Sequence, residues 1–407
     1  MPKLLEIALI QPLQARNFRL LWISQMVAWT GDSIYQIGLL WLILEMTGSQ
    51  SLAGIIAAMG YLPALILGLF LGALVDVYDR RKLMIFADGL RVLVILYIPI
   101  AFTGGWLSPW QLALAAFFIA SGNALFNPAR DASVPHLAPP GSLLAANTLI
   151  QSSAHLSMLI GPLFAAGILA VTSLMGLFYF DAIAYFISLV TIFMLALPKS
   201  ATKQAALPPL KAIGEALHYS VKEKWSGLML LLTSLDNLFI MGPALVGIPI
   251  LVREELKLGV QEFAVIQACF AVGMLIGAFL IGTFGKSLPK GKVLLFAILF
   301  DGITFMPVYF APDLYWLGAI IIFHSIGIPF IMVPRISLIQ EGIPPALQGR
   351  FFALANLTVV GMTALSAAMT GVACEVLGAR TLFLIIGMGG GVCGLLGFLL
   401  KPLRERC

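Results

Sequence analysis

The sequence predicts an all-α membrane protein of twelve transmembrane helices, arranged as two repeats of six, with both termini in the cytoplasm. Three observations support this fold class: an apolar composition, the number of long apolar segments, and an uneven distribution of positive charge. The chain has 407 residues, of which 60% are hydrophobic and 11% are charged. Soluble domains usually contain about 25% charged residues. A chain with so few charges cannot cover a water-facing surface, and its long apolar segments indicate membrane helices rather than barrel strands.

The apolar segments are long enough to cross the hydrocarbon core, which takes about 20 residues of helix. Breaks at charged residues, glycines and prolines divide the chain into twelve such segments. The predicted spans are residues 20–44, 50–75, 83–103, 109–127, 146–171, 174–197, 226–251, 262–284, 292–310, 314–334, 350–377 and 380–400.

Lysine and arginine are concentrated on one side of this predicted topology. With cytoplasmic termini, 21 of the 24 basic residues belong to the inner side, and only Arg253, Lys257 and Arg380 belong to the outer side. Positively charged loops stay on the cytoplasmic side of a membrane protein. The distribution therefore predicts the orientation, and it accounts for the net charge of +5 without a nucleic-acid partner.

The longest polar segment, residues 198–225, separates an N-terminal half, residues 1–197, from a C-terminal half, residues 226–407. Apolar residues recur at helical spacing in this linker, which fits either an amphipathic helix on the inner membrane surface or a solvated tether. The halves resemble each other, because the predicted inner loops Asp131–Asn147 and Gln340–Asn356 carry proline at the same offset and end in Ala-Asn. A duplicated unit predicts a binding site between the halves, near the bilayer midplane.

A carboxylate interrupts the first apolar span. Asp32 shares one helical face with Gln25, Trp29 and Gln36, whereas the opposite face is apolar. A charged aspartate within hydrocarbon costs roughly 2.5–3.5 kcal/mol, and intramembrane ionisable residues usually face a cavity and act in transport. Asp32 is therefore predicted to face a cavity and to bind and release protons. A structural role within the helix bundle is the alternative.

Other polar residues within the spans are further candidates for the substrate or proton cavity. They are Asp236, the counterpart of Asp32 in span seven, with Asn237; Gln151 and His155 in span five; Asp181 in span six; Asp301 in span nine; and His324 in span ten. Histidine can titrate near physiological pH, although hydrogen-bonded helix packing explains His155 equally well. The cysteines lack metal-ligand spacing, so neither a metal site nor a cofactor is expected.

The loop between spans two and three, Gly72–Arg91, resembles the loop signature of the major facilitator superfamily. The matching positions are Gly72, Asp76, Arg80, Arg81 and Lys82, followed by Asp88 and Arg91. The resemblance implies that the acidic residue caps a helix of the opposite half, while the basic residues join an ion-pair network that closes an inner gate. Arg130 is the expected partner of this network. The alternative is that these charges only enforce the topology.

Span five resembles the antiporter signature of drug-exporting members of the same superfamily. Gly161 and Pro162 match the signature, whereas Ser157, Ala165 and Ala166 replace its glycines. Small residues allow close helix packing, and proline bends the helix. The stretches TGSQSLAG, FNPARDASVPHL and GRFFALANL resemble the branch that contains macrolide-efflux, enterobactin-export and lysophospholipid-transport proteins.

The resemblance implies a secondary transporter that works by alternating access, not an enzyme. The leading hypothesis is proton-coupled export of a hydrophobic or amphiphilic small molecule, such as a drug-like compound or a siderophore. The protein would act as a monomer, surrounded by lipid, in the bacterial inner membrane. One alternative is translocation of a lysophospholipid-like substrate without obligatory proton coupling, and another is a non-transporting membrane sensor. The sequence contains no phosphate-binding loop motif, so ATP is not expected to drive transport.

Overall fold

A computed structural model describes residues 10–197, 209–285 and 288–406 of the chain. The described residues are almost entirely helical, with 89% helix and no strands. Eleven of their helices are long and apolar enough to cross a membrane, and a shorter apolar stretch, Gln50–Ile66, follows the first of them. The chain is therefore an integral membrane protein of the helical class. The number of twelve spans and the orientation of the termini stay predictions.

The helices follow one another closely along the chain. In the first part, after a 3-10 turn at Gln11–Gln14, they are α1 (Arg16–Thr47), α2 (Gln50–Met59), α3 (Leu62–Ile66), α4 (Gly68–Val77), α5 (Arg80–Thr103), α6 (Pro109–Leu137), α7 (Leu143–Val171) and α8 (Met175–Phe193). In the second part they are α9 (Pro209–Lys222), α10 (Lys224–Gly242), α11 (Val260–Phe284), α12 (Lys290–Phe305), α13 (Leu314–Ser325), α14 (Ile328–Gly342), α15 (Pro345–Leu377), α16 (Ala379–Leu399) and α17 (Lys401–Arg404).

Two helices continue in a different helical form. Beyond α10, π-helical segments at Pro243–Gly247 and Leu251–Glu255 flank Ile248–Ile250. This extends the seventh predicted span to Glu255. A 3-10 segment, Met306–Phe310, follows α12 directly.

The second predicted span, residues 50–75, consists of three short helices, α2 to α4, rather than one. Gly60, Pro63 and Gly68 lie at or next to the interruptions, and glycine and proline are the residues that most often interrupt helices.

The fourth predicted span ends at residue 127 in the sequence, whereas α6 continues to Leu137 and makes part of the expected inner loop helical. Pro128 and Pro135 lie inside this helix. Proline is tolerated in membrane helices where neighbouring groups satisfy the freed main-chain atoms. Arg80 binds the same part of the helix, because its Nη1 donates a hydrogen bond to the main-chain oxygen of Ala132 at 2.8 Å.

The helices group into two compact units. Unit 1 comprises residues 1–42 and 62–205. Within it, α5 packs against both α6 and α8, and an apolar cluster that includes Phe18, Met84 and Phe126 fills the space between helices. This packing buries Asp88 and Arg91 of α5, whereas Lys82 at the start of the helix is exposed.

Unit 2 comprises residues 43–61 and 206–407. Its closest helix pairs are α12 with α16 and α2 with α15. In the first pair, a Cβ atom added at Gly302 would clash with the main chain of Gly390 and Gly391. Glycine therefore permits the main chains to approach each other, as small residues do between membrane helices.

The described part of the linker forms the helix α9, which packs within unit 2. Ala216 is completely buried, and Glu215 forms an ion pair with Arg350 of α15. Tyr219 donates a hydrogen bond to the main-chain oxygen of Gly342 at 3.4 Å. Residues 198–208 lie outside the described residues, so the domain boundaries remain a prediction.

The contact between α2 and α15 leaves no space for a side chain. A Cβ atom at Gly54 would lie 2.9 Å from the Cα atom of Gly371, and the reverse distance is the same. We expect Gly371→Leu to force the helices apart and to lower stability by about 1–3 kcal/mol. Thermal unfolding of the purified protein measures this loss. The matched control is Gly349→Leu on the same helix, where open space surrounds the new side chain, and an equal loss in both variants would contradict the packing argument.

Candidate functional site

Asp32 lies in α1, partly buried within unit 1. Its carboxylate accepts a hydrogen bond of 2.5 Å from the hydroxyl of Tyr185 on α8. That hydroxyl accepts a hydrogen bond of 3.2 Å from Nη1 of Arg91 on α5. Gly31 allows this approach of α1 and α8, because a Cβ atom there would collide with the carboxylate of Asp181. The carboxylate that interrupts the first span is thus linked to a buried arginine through one tyrosine.

A buried ion pair lies next to this tyrosine. Arg91 and Asp88, one turn apart on α5, form a salt bridge with side chains that are 3% and 0% exposed. Ser188 donates to the second oxygen of Asp88 at 2.7 Å, and Arg91 also donates to the amide oxygen of Asn123. The guanidinium carbon lies 4.2 Å from the ring centre of Tyr185. Several hydrogen bonds therefore compensate both charges, which a buried pair requires.

Hydrogen bonds continue from the ion pair to the surface of unit 1. Ser188 shares a hydrogen bond of 2.7 Å with Ser24, and the amide of Gln25 lies 3.5 Å from the Ser24 hydroxyl. The amide oxygen of Gln25 accepts a hydrogen bond from Arg130 at 2.8 Å. Arg130 pairs at 2.8 Å with Asp131, whose side chain is 64% exposed. A polar chain thus connects the buried carboxylates with an exposed one.

Asp181 differs from its neighbours because it is fully buried and neither of its carboxylate oxygens has a hydrogen-bond partner among the described residues. It also interacts electrostatically with Asp32. An isolated ionised carboxylate in an apolar environment costs far more than a neutral one. Asp181 therefore differs from Asp88, whose carboxylate is paired and hydrogen-bonded.

Asp181→Asn is expected to leave the protein as stable as before, or slightly more stable, because the change removes a carboxylate that has no partner. The control is Ser188→Ala on the same helix, which removes a hydrogen bond to the ionised Asp88 and should cost about 1.5–3 kcal/mol. Melting temperatures of the two purified variants test this order. A larger loss in Asp181→Asn than in Ser188→Ala would show that Asp181 has a stabilising partner.

A second group of buried polar residues lies in unit 2. Oδ1 of Asp301 on α12 and Nε2 of His324 on α13 are 3.4 Å apart. The hydroxyl of Thr304 lies 3.1 Å from Nδ1 of the same imidazole. Asp236 on α10 is buried and interacts electrostatically with both Asp301 and Arg335. The fold therefore brings together three of the titratable residues that the sequence identifies in spans seven, nine and ten.

The remaining cavity candidates lie in different environments. Three of them are exposed on unit 1: Gln36, Gln151 and His155. Trp29 is half-buried, with its ring centre 5.2 Å from the guanidinium carbon of Arg130. Asn237 is buried and donates to the main-chain oxygen of Thr233 at 2.7 Å. A cavity shared by Asp32 and Asp236 stays a prediction.

Two of the basic residues of the loop signature bind main-chain oxygens near the ends of helices. Arg80 reaches Ala132 in α6, as described above, and Arg81 donates to the oxygen of Ile192 at 3.3 Å near the end of α8. The C-terminal ends of helices carry partial negative charge, so cations are stabilised there. These contacts tie the start of α5 to two neighbouring helices.

Asp88 of the signature pairs with Arg91, a member of the same predicted set, and accepts a hydrogen bond from Ser188. Because α5 begins at Arg80, Asp88 lies two turns inside the helix. Its part in a gate with Arg80 and Arg130 stays a prediction.

The first part of the signature lies in α4. There Gly72 has open space around its Cα, and the side chain of Asp76 lies outside the described residues. The inner gate therefore stays a prediction.

The antiporter-like motif lies where α7 crosses α1. A Cβ atom at Gly161 would clash with the side chain of Ser33, and Ser157 donates to the main-chain oxygen of Met26 at 3.2 Å. Pro162 lies inside α7. In this crossing, glycine and serine allow the close contact that small residues provide between membrane helices.

Sequence reasoning missed three members of the two polar groups: Ser24, Asn123 and Thr304. Each is a single small polar residue within an apolar span, and such residues often bond only to their own helix. The only available signal was the position of Ser24 beside Gln25. No group of histidine, cysteine, aspartate and glutamate residues that fits a metal ion occurs in the described residues.

The sequence model described as Major Facilitator Superfamily matches residues 21–359, and again residues 228–406. The chain is 26% identical over 343 residues to macrolide efflux protein A of Streptococcus pyogenes, a match that covers 83% of this chain and 84% of that protein. It is 23% identical over 394 residues to the multidrug efflux pump Tap of Mycobacterium tuberculosis, with coverage of 94% and 93%.

Solved structures show the same fold at lower sequence identity. A bacterial homologue of the human lysosomal transporter Spinster, inward-facing and unoccupied, superimposes with a TM-score of 0.77 at 13% identity, covering 97% of this chain and 98% of that one. A variant of the nucleoside transporter NupG gives a TM-score of 0.76 at 12% identity, with coverage of 93% and 99%. The relatives and the fold are those of transporters rather than enzymes. The chain belongs to the Major Facilitator Superfamily.

Proposed function

We propose that the protein is a proton-coupled exporter of hydrophobic or amphiphilic small molecules in the bacterial cytoplasmic membrane. The efflux relatives support the direction of transport and the class of substrate. The observation that carries the proposal of proton coupling is the environment of Asp32. Its carboxylate is partly buried in unit 1 and accepts a hydrogen bond from Tyr185. The same hydroxyl accepts a hydrogen bond from Arg91, the basic member of the buried ion pair.

In this mechanism, Asp32 exchanges a proton and thereby changes the charge balance around Arg91. The ionised carboxylate accepts the hydrogen bond from Tyr185 and is attracted by the guanidinium of Arg91. Protonation removes that attraction and leaves Asp88 as the main counter-ion. If the proton binds one conformation of the protein more tightly than the other, its binding raises the population of that conformation. Proton binding at Asp32 would in this way favour one of the two access states.

Cationic and neutral amphiphiles are the proposed substrates. The cavity candidates other than the histidines and Trp29 are carboxylates and amides, among them Asp32, Gln36, Asp236 and Asn237. Carboxylates attract cations, and amides bind neutral polar groups. An anionic siderophore would instead require basic residues in the cavity, so this composition favours drug-like substrates.

Transport into inside-out vesicles tests the proposal. We expect a labelled macrolide, and separately a cationic dye, to accumulate when the lumen is acidic, and the accumulation to collapse when a protonophore is added. Vesicles without the protein are the control. Accumulation that ignores the proton gradient would contradict proton coupling. Gradient-independent movement of a labelled lysophospholipid, without movement of the macrolide or the dye, would replace the proposal with lipid translocation.

A further inference from the structure

His324 is completely enclosed within unit 2, and its two ring nitrogens face different groups. Nδ1 faces the hydroxyl of Thr304 at 3.1 Å, and Nε2 faces Oδ1 of Asp301 at 3.4 Å. Phe305 stacks on the imidazole with 4.1 Å between ring centres, and the ring of Phe270 lies edge-on at 6.2 Å. The aromatic rings restrict the imidazole to this orientation.

The hydroxyl of Thr304 contacts Nδ1 of His324 and also lies 2.7 Å from the main-chain oxygen of Phe300. A hydroxyl has only one hydrogen to donate. With that hydrogen donated to Phe300, the hydroxyl oxygen accepts from the imidazole, and we infer that Nδ1 is the donor. In a neutral imidazole, Nε2 then carries a lone pair.

Oδ1 of Asp301 lies 3.4 Å from this nitrogen, a separation longer than an ordinary hydrogen bond. Nε2 of His324 and Oδ1 of Asp301 are both buried, and neither has a hydrogen-bond partner among the described residues. Without a proton, both atoms are acceptors, and Asp301 is an uncompensated charge in an apolar environment. One proton on either atom, with a small approach of the two side chains, satisfies both.

The helices packed against this pair contribute few other titratable or charged groups. Asp236 on α10 interacts with Asp301, and Arg335 on α14 interacts with Asp236. Cys269 lies on α11 and Cys393 on α16. Asp236 is thus the other carboxylate of this group, and Arg335 is its basic residue.

We propose that Asp301 and His324 form a second proton-binding site, located in unit 2, which holds one proton shared between Oδ1 and Nε2. This inference rests on the proposed proton-coupled transport and adds to it a proton-binding site other than Asp32. Loss of the proton leaves two buried acceptors facing each other. Movement of α12 against α13, or entry of water between them, relieves that repulsion.

Nitrogen NMR of the protein labelled with 15N-histidine, in detergent micelles, tests the site directly. The chain has four histidines, so His324→Gln identifies the signal of His324. We expect a hydrogen on Nδ1. If the shared proton is on Asp301, we expect an infrared band of a protonated carboxyl group that disappears in Asp301→Asn. If it is on His324, we expect a doubly protonated ring that becomes neutral in Asp301→Asn.

Two results would overturn the proposal: a neutral His324 ring with its hydrogen on Nε2, or a neutral ring with no carboxyl band that depends on Asp301. The controls are His136→Gln, at an exposed position, which should remove only its own signal, and Asp181→Asn, which should leave the His324 signal unchanged. If His324→Gln does not fold, Asp301→Asn alone still identifies the signal by its change. The spectra require no transport, so absence of proton-driven export would refute the proposed function without affecting this result.

Discussion

Asp32→Asn is expected to abolish accumulation of substrate against a gradient, while exchange down a gradient persists in part. Asparagine keeps the size of the side chain, and its carbonyl oxygen can still accept the hydrogen bond from Tyr185, but it cannot bind or release a proton. The variant should also lose the pH dependence of ligand binding. Proton-driven transport and pH-dependent binding, measured in reconstituted vesicles for wild type and variant, provide the paired test.

The matched control for this variant is Asp131→Asn, at the exposed end of the same hydrogen-bonded chain. It removes an acidic group without changing the buried carboxylates, so uphill transport should persist. Accumulation at the wild-type level in Asp32→Asn would mean that Asp32 is structural, and Asp236 or His155 would become the next candidate for the proton carrier.

Arg91→Met is expected to lower the stability of unit 1 strongly. It leaves Asp88, which is 0% exposed, as a buried charge without its counter-ion. Removing one partner of a buried ion pair costs about 3–5 kcal/mol. The yield of monodisperse protein after size-exclusion chromatography, together with its melting temperature, measures the effect.

The double variant Arg91→Met/Asp88→Leu distinguishes the stability cost of losing the whole ion pair from the cost of leaving one partner unpaired. Because apolar residues of similar volume can replace a buried ion pair at little or no cost, the double variant should regain most of the lost stability. It should not regain transport, since the link from Tyr185 to the arginine is gone. A double variant less stable than Arg91→Met would show that the pair stabilises the unit as a whole.

The helical architecture could be predicted because each membrane helix requires a long apolar segment that is visible without knowledge of its neighbours. The exceptions have tertiary causes. The end of α6 was missed because Pro128 and Pro135 normally stop a helix, whereas here the helix continues through both and Arg80 of α5 binds the main chain of Ala132. The interrupted second span was missed because hydropathy averages over Gly60 and Pro63.

A site residue could be predicted only where the sequence of a single helix identified it. Asp32 was identified because its helical face is polar while the opposite face is apolar. Its link to Tyr185 requires the relative rotation of α1 and α8, which no single segment determines. Asp88 and Arg91 were assigned to a gate by their resemblance to a family motif, although their spacing of three residues within an apolar helix is also that of a buried pair. Asp301 and His324 meet only because α12 and α13 pack together.

The membership of α2 in unit 2 has a consequence for dividing the protein into fragments. Ser51 of α2 donates its main-chain hydrogen to Glu375 of α15 at 3.0 Å, and Gly54 packs on Gly371. Residues 43–61 thus belong to the N-terminal part of the sequence, yet they pack within unit 2. A polypeptide of residues 206–407 produced alone would expose the glycine surface of α15, and it would need the N-terminal polypeptide in trans to restore its missing helix.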